Sequence, residues 1–161
     1  MEPVKKSDTG ELMIDRKHNY GVIDSDRTKC AYGFLAKNGA IDFAGAKITC
    51  ETDFAVIAMS SLTDDPIVHS DNILLTTVGR AENTGLETKG DAMIEIGKPP
   101  VQVEVIKAEI ELEADGGDRN VWAISPEGFY IGTVPTVYKD GKLKFTVGNT
   151  SQSMYYLIVK E

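Results

Sequence analysis

From Ala108 to Glu113 the chain reads Ala-Glu-Ile-Glu-Leu-Glu, a strict alternation of apolar and acidic residues. Period two is the mark of a strand with one buried and one wet face, because successive side chains leave opposite sides of the backbone. Lys142 and Lys144 alternate with Leu143, Phe145 and Val147 in the same way. No segment sustains 3.6-period apolar spacing for the roughly ten residues a confident helix needs. Turn chemistry punctuates the strands: Asp140-Gly141 reads as a hairpin turn, Pro126-Glu127-Gly128 as a second, and Lys37-Asn38-Gly39 as a third, joining Cys30–Leu35 to Ile41–Glu51. About a dozen short strands separated by such turns predict an all-β, antiparallel sandwich, jelly-roll or immunoglobulin-like, with length favouring a sandwich over a barrel.

Individual segments sharpen this reading. Phe54 to Met59 is apolar at every position, so both faces of that strand should be covered. Asn72 to Val78 is a β-branched strand emptying into a polar tip with Arg80, Glu82 and Asn83, closed by Gly85. Inward parity switches between Val105 and Ile106, which predicts a bulge. Lys98-Pro99-Pro100 predicts a strand break, read as a crossover within one domain. Residues 1–9 read as a flexible leader and residues 10–161 as a single sandwich domain, a size able to bury a two-layer core.

Composition limits the partners. With 42% hydrophobic and 26% charged residues the chain is ordinary for a folded domain. A formal net charge of −8 repels polyanions, so neither nucleic acid nor an anionic membrane is expected as a partner. No apolar run is long enough to make a membrane-spanning helix. The opening Met-Glu-Pro-Val-Lys-Lys-Ser-Asp has no apolar stretch of signal-peptide type, which suits either a cytoplasmic protein or a module cut from a longer secreted chain. Cys30 and Cys50 read either as two small core residues or as a disulfide between neighbouring strands, the latter pointing to an extracellular origin.

No local motif identifies catalytic machinery. A glycosidase needs two carboxylates facing each other across a sugar, and among 25 acids no sequence pattern singles out such a pair. Neither His18 nor His69 sits where a serine triad would place it. Asp115-Gly116-Gly117-Asp118 reads as a hairpin tip and lacks the strand-to-helix context of a nucleotide loop. No cofactor is expected; structural calcium would draw its oxygens from Asp24 and Asp26, Asp64 and Asp65, or Asp115 and Asp118, none of them in EF-hand spacing. Sugar binding by a sandwich rests on aromatic platforms. Trp122, the single tryptophan, either faces out as such a platform or in as a core anchor. Tyr20 and Tyr130 are further candidates, and the adjacent Tyr155 and Tyr156 must point to opposite faces.

Three portions carry a resemblance: Ala31-Tyr32-Gly33-Phe34-Leu35 after Asp24–Thr28, Phe54 to Leu62 followed by Asp65-Pro66-Ile67-Val68, and Ile73 to Gly85. Their order resembles the β-sandwich domain that follows the catalytic barrel in multimodular, secreted bacterial glycoside hydrolases of cellulase and β-galactosidase type. Pro99-Pro100-Val101, Val121-Trp122-Ala123-Ile124, Asp140 to Phe145 and Tyr155 to Ile158 extend the likeness over most of residues 10–160. It implies a non-catalytic carbohydrate-binding or accessory module, extracellular as part of a larger chain, whose barrel neighbour carries the chemistry. Its implied partners are a plant cell-wall polysaccharide or oligosaccharide and that catalytic domain. Arg80, Glu82 and Asn83 match the shared motif either as sugar contacts, as a structural knot or as a barrel-facing contact, alongside Trp122, Tyr130 and Tyr20 as candidate sugar-binding residues. A structural docking domain that binds no sugar is the alternative.

Overall fold

The computed structural model describes residues 3–160, in which the only helical element is a 3-10 turn at Ala36–Asn38. In chain order the strands are β1 (Val4–Lys6), β2 (Leu12–Asp15), β3 (Tyr20–Asp24), β4 (Thr28–Phe34), β5 (Ala40–Phe43), β6 (Ala46–Cys50), β7 (Phe54–Ser61), β8 (Asn72–Val78), β9 (Ala81–Thr84), β10 (Glu87–Lys89), β11 (Ala92–Glu95) and β12 (Lys98–Val103). They continue with β13 (Ala108–Glu113), β14 (Arg119–Ile124), β15 (Tyr130–Val134), β16 (Thr136–Lys139), β17 (Lys142–Val147) and β18 (Tyr155–Lys160). A nine-stranded sheet, β1-β2-β3-β4-β7-β8-β18-β14-β15, faces a five-stranded one, β16-β17-β13-β6-β5, and every pairing is antiparallel. The fold is an all-β sandwich, with more strands than the sequence predicts.

The predicted alternations set the core. Ile110, Leu112, Leu143, Phe145 and Val147 bury their side chains from the small sheet against Ala55, Ile57, Met59, Ile73, Leu75, Val121, Ala123 and Ile158 of the large one. The Asp140-Gly141 turn joins β16 to β17 with both residues in the left-handed region, at φ 52 and 77. Pro135 carries the chain from β15 in one sheet to β16 in the other, closing one margin of the sandwich. At the opposite margin the large sheet overhangs the small one: β1 and β2 add no residue to the apolar core. Val4–Lys6, expected within a flexible leader, pair with β2 as the edge strand.

Several expectations are corrected. Ile41–Glu51 is not one strand but the β5–β6 hairpin, turned at Gly45 with φ 77. Residues 104–107, expected to hold a bulge, lie between β12 and β13. Asp115 to Asp118 connects β13 to β14, which belong to different sheets, so it is a crossover and not a hairpin tip. Pro99 and Pro100 do not break the chain's extension; they sit inside β12 at a register shift between Lys98 and Val101. The Cys30–Cys50 disulfide is absent, and both cysteines are free and buried. Cys30 shares the outward face of β4, opposite Ala58, whereas Cys50 points into the core from β6 of the other sheet, so a sheet stands between the sulfurs. Burial pushes both thiols above their ordinary pKa.

Two charged knots fasten the layers. Lys29 points inward from β4, 2% exposed, with its Nζ 2.6 Å from Asp24 Oδ1; Asp24 Oδ2 accepts the Ala44 N–H of the β5–β6 turn at 3.0 Å. Arg119, 1% exposed, donates to the carbonyls of Ser70, Val68 and Asp115, which pins the loop between β7 and β8 over one end of the core. Desolvation lowers the Arg119 pKa, opposed by the nearby Asp71 charge.

The overhang has its own lock. Buried Asp15 accepts His18 Nδ1 at 2.7 Å and the N–H groups of Lys17 and His18 at 2.9 and 3.0 Å, and chiefly the His18 side-chain bond lowers its pKa. A carboxyl whose folded pKa lies below its unfolded value stabilises fully above that unfolded value, and the contribution vanishes as pH falls through the folded one. Protection factors of the amides across β2 and β3, which correct for the intrinsic pH dependence of exchange, are therefore expected to fall on acidification below the ordinary carboxylate range. Asp15→Asn should exchange faster at neutral pH and lose that acid-side dependence; an unchanged acid slope in the variant would assign the effect elsewhere.

Candidate functional site

Alternation gives each sheet an outward face, and the two faces differ in chemistry. On the small sheet the outward residues of β13 and β17 are Glu109, Glu111 and Glu113 against Lys142, Lys144 and Thr146. Lys142–Glu111 at 2.9 Å, Lys144–Glu109 at 3.0 Å and Lys47–Asp42 at 3.2 Å lace it with ion pairs. The Lys142 bond lowers the Glu111 pKa, as Glu111 raises that of Lys142. This is a surface built for water.

The large sheet's outward face is built otherwise. One register row runs Tyr130, Ile124, Tyr155, Thr76, Ala58, Cys30, Ile23 and Leu12 across eight strands. A second runs Thr133, Trp122, Leu157, Leu74, Ser60 and Thr28. A third runs Val78, Val56, Tyr32, Gly21 and Ile14, with Phe34 and Phe54 stacked edge-to-face at 5.5 Å beside it. Asn72, Val159 and Asn120 close the far end. Between β2 and β15 no outward position is charged; the first charge is Lys5, on the edge strand β1. At Gly21 a Cβ would collide with the Tyr32 ring, so the glycine lets that ring lie against the sheet. Seven spacings of about 4.8 Å by strands of about five residues give a face of roughly 600 Å².

Phe54 to Met59 explains why this matters. The sequence demands cover on both faces of that strand. The small sheet buries Ala55, Ile57 and Met59, but Phe54, Val56 and Ala58 are only half-buried among their own sheet neighbours. The arm described next does not supply the missing layer, since its four strands are exposed along both faces apart from Asn83.

That arm occupies residues 79–105, where the sequence predicts a short polar tip. β9 pairs with β12, and β10 with β11, in two successive ribbons that belong to neither main sheet. Arg80, Glu82 and Asn83 stand at its root. The Arg80 N–H donates to Glu104 Oε2 at 3.2 Å, and its guanidinium lies 3.9 Å from Asp53. Glu82 faces Gln102 across the ribbon. Asn83 Nδ2 donates to the Ile96 carbonyl at 3.1 Å, joining the two ribbons. Arg80 and Asn83 thus fasten the arm, while Arg80 and Glu82 also line a surface hollow with Gln102, Val103 and Glu104.

The aromatic candidates separate. Trp122 is neither core nor open platform: it points outward and is half-buried between Thr133 and Leu157. Tyr130, 62% exposed, joins it at the same end of the face, with its hydroxyl 2.9 Å from Thr133 Oγ1. Tyr155 lies outward beside them, while Tyr156 is fully buried, its hydroxyl donating to the Ser151 carbonyl. Tyr20 projects from the sheet's other side against the core edge, away from Trp122. Among the six acidic loop residues proposed for calcium, Asp24 holds Lys29, Asp64 lies 3.5 Å from Arg27, Asp115 3.1 Å from His69, and Asp118 accepts the Arg119 N–H. Among the described residues no three His, Cys, Asp or Glu side chains group to hold a metal, and no helix is long and apolar enough to cross a membrane.

Comparison with protein-family models, with curated proteins and with solved structures finds no match for this chain.

Proposed function

We propose that the chain is a non-catalytic accessory module that docks through the outward face of its nine-stranded sheet onto a folded catalytic neighbour. The observation that carries this reading is the uncharged face from β2 to β15 in a chain of net charge −8. Roughly 600 Å² of uncharged face approaches the ~800 Å² per partner of a stable protein interface. The resemblance to domains that follow glycoside hydrolase barrels supplies the class of neighbour: a secreted, polysaccharide-degrading barrel in the same chain. Linked to it, the module needs only modest contact energy, because tethering makes docking intramolecular.

Sugar binding is the second reading, favoured by Trp122, Tyr155 and Tyr130 gathering at one end of the same face. Two measurements separate them. In sedimentation titrations against a cellulase-type catalytic barrel, docking predicts a complex that Leu74→Lys abolishes. In affinity electrophoresis through soluble neutral hemicelluloses and uncharged cellulose derivatives, docking predicts no retardation. Retardation lost on Trp122→Ala or Tyr130→Ala would establish the sugar reading instead.

A further inference from the structure

Where the β2–β3 turn meets the 3-10 turn after β4, six residues line a pocket of about 330 Å³: Lys17, His18, Asn19, Phe34, Lys37 and Asn38. None is acidic, in a chain where acids outnumber bases by 25 to 17. Lys17 and Lys37 are both exposed, and neither forms an ion pair among the described residues. From this cluster we infer a binding site for a carboxylate-bearing saccharide unit, a uronate residue, bordering the outward face at Phe34.

Each part of the ligand answers a group on the wall. Two unpaired ammoniums call for an anion. Asn38 spends its Nδ2 donors on the carbonyls of Phe34 at 2.7 Å and His18 at 3.3 Å, which fixes the carboxamide and leaves Oδ1 as an acceptor. A fixed acceptor beside two ammoniums suits a ligand that carries hydroxyl donors as well as an anion, which a uronate does and a bare carboxylate does not. Phe34, 39% exposed, supplies an apolar surface for a pyranose ring. The wall is prebuilt: the Phe34 N–H donates to the Asn19 carbonyl at 3.0 Å, and Asp15, behind His18, holds its Nδ1 at 2.7 Å. Asn19 takes the left-handed conformation, φ 55, that the tight turn needs. The volume lies at the small end of ligand pockets, enough for one ring and not for a chain lying lengthwise.

The test is a ¹H–¹⁵N chemical-shift titration with trigalacturonate, neutral galactotriose and inorganic phosphate as probes. Trigalacturonate should shift Lys17, His18, Asn19, Phe34, Lys37 and Asn38, with affinity falling as salt rises through about 0.5 M. Each exposed lysine–carboxylate pair contributes up to about fivefold, so Lys17→Gln with Lys37→Gln should weaken binding about tenfold without altering the rest of the spectrum. Equal binding of galactotriose would overturn the anionic part, and equal binding of phosphate the saccharide part. No shift with trigalacturonate at about 20 mM would overturn the site altogether. Lys17, Lys37 and Asn38 lie off the sheet and report on this pocket alone, whereas docking is read at Leu74 and Trp122.

Discussion

Asp24→Ala is expected to cost about 3 kcal/mol, the largest loss of any single substitution near the surface, although Asp24 itself is only half-buried. The reason lies with its partner. Lys29 is 2% exposed on the inward side of β4, and Asp24 is the carboxylate 2.6 Å from its ammonium. Removing the acid leaves a buried, uncompensated charge and orphans the Ala44 N–H, and breaking such a pair is far costlier than replacing it whole. Lys29→Met alone removes the buried charge and leaves Asp24 able to reach water, so it should cost about 1 kcal/mol or less. Added to Asp24→Ala, Lys29→Met should recover most of the loss. A urea-unfolding double-mutant cycle measures this directly; additive losses would mean that the two side chains do not meet.

Neighbouring leucines on β8 give the second large contrast. Leu75 is fully buried against the small sheet, and Leu75→Ala should cost about 2–5 kcal/mol for lost burial and the cavity left behind. Leu74 lies on the outward face between Ser60 and Leu157, half-buried only by its own sheet. In the isolated domain Leu74→Ala should cost under about 1 kcal/mol. Bound to a partner, Leu74 becomes core, and the same change should weaken association by more than it weakens the fold. Similar costs for the two variants in the isolated domain would mean that the outward face is already covered.

Much of this was legible in the residues. Alternation in 108–113 and 142–147 fixed both the strands and which side chains enter the core, because period two leaves no other way to segregate Ile110 from Glu111. Asp140-Gly141 was legible as a turn because both residues tolerate the positive φ it requires. What stayed hidden was pairing at a distance. Cys30 and Cys50 fall on opposite sides of a sheet, a fact of strand order that spacing does not encode. Arg80, Glu82 and Asn83 looked like a tip because Gly85 signals a turn, yet the chain leaves that turn into β10 and returns along β12. The uncharged outward face was foreshadowed only at Phe54–Met59, whose double-sided apolarity asked for two covering layers where this chain provides one. Lys17 and Lys37 stand twenty residues apart and meet only because β3 and β4 form a hairpin.

Hydroxyl-radical footprinting reads the outward face itself, at Trp122, Tyr155, Phe54 and Leu74, with the domain alone and then with a cellulase-type catalytic barrel present. The account predicts that all four oxidise readily alone and become protected together, while Tyr138 and Val137 at the small sheet's edge do not change. Protection confined to the small sheet, or none on the large sheet's outward face, would contradict it.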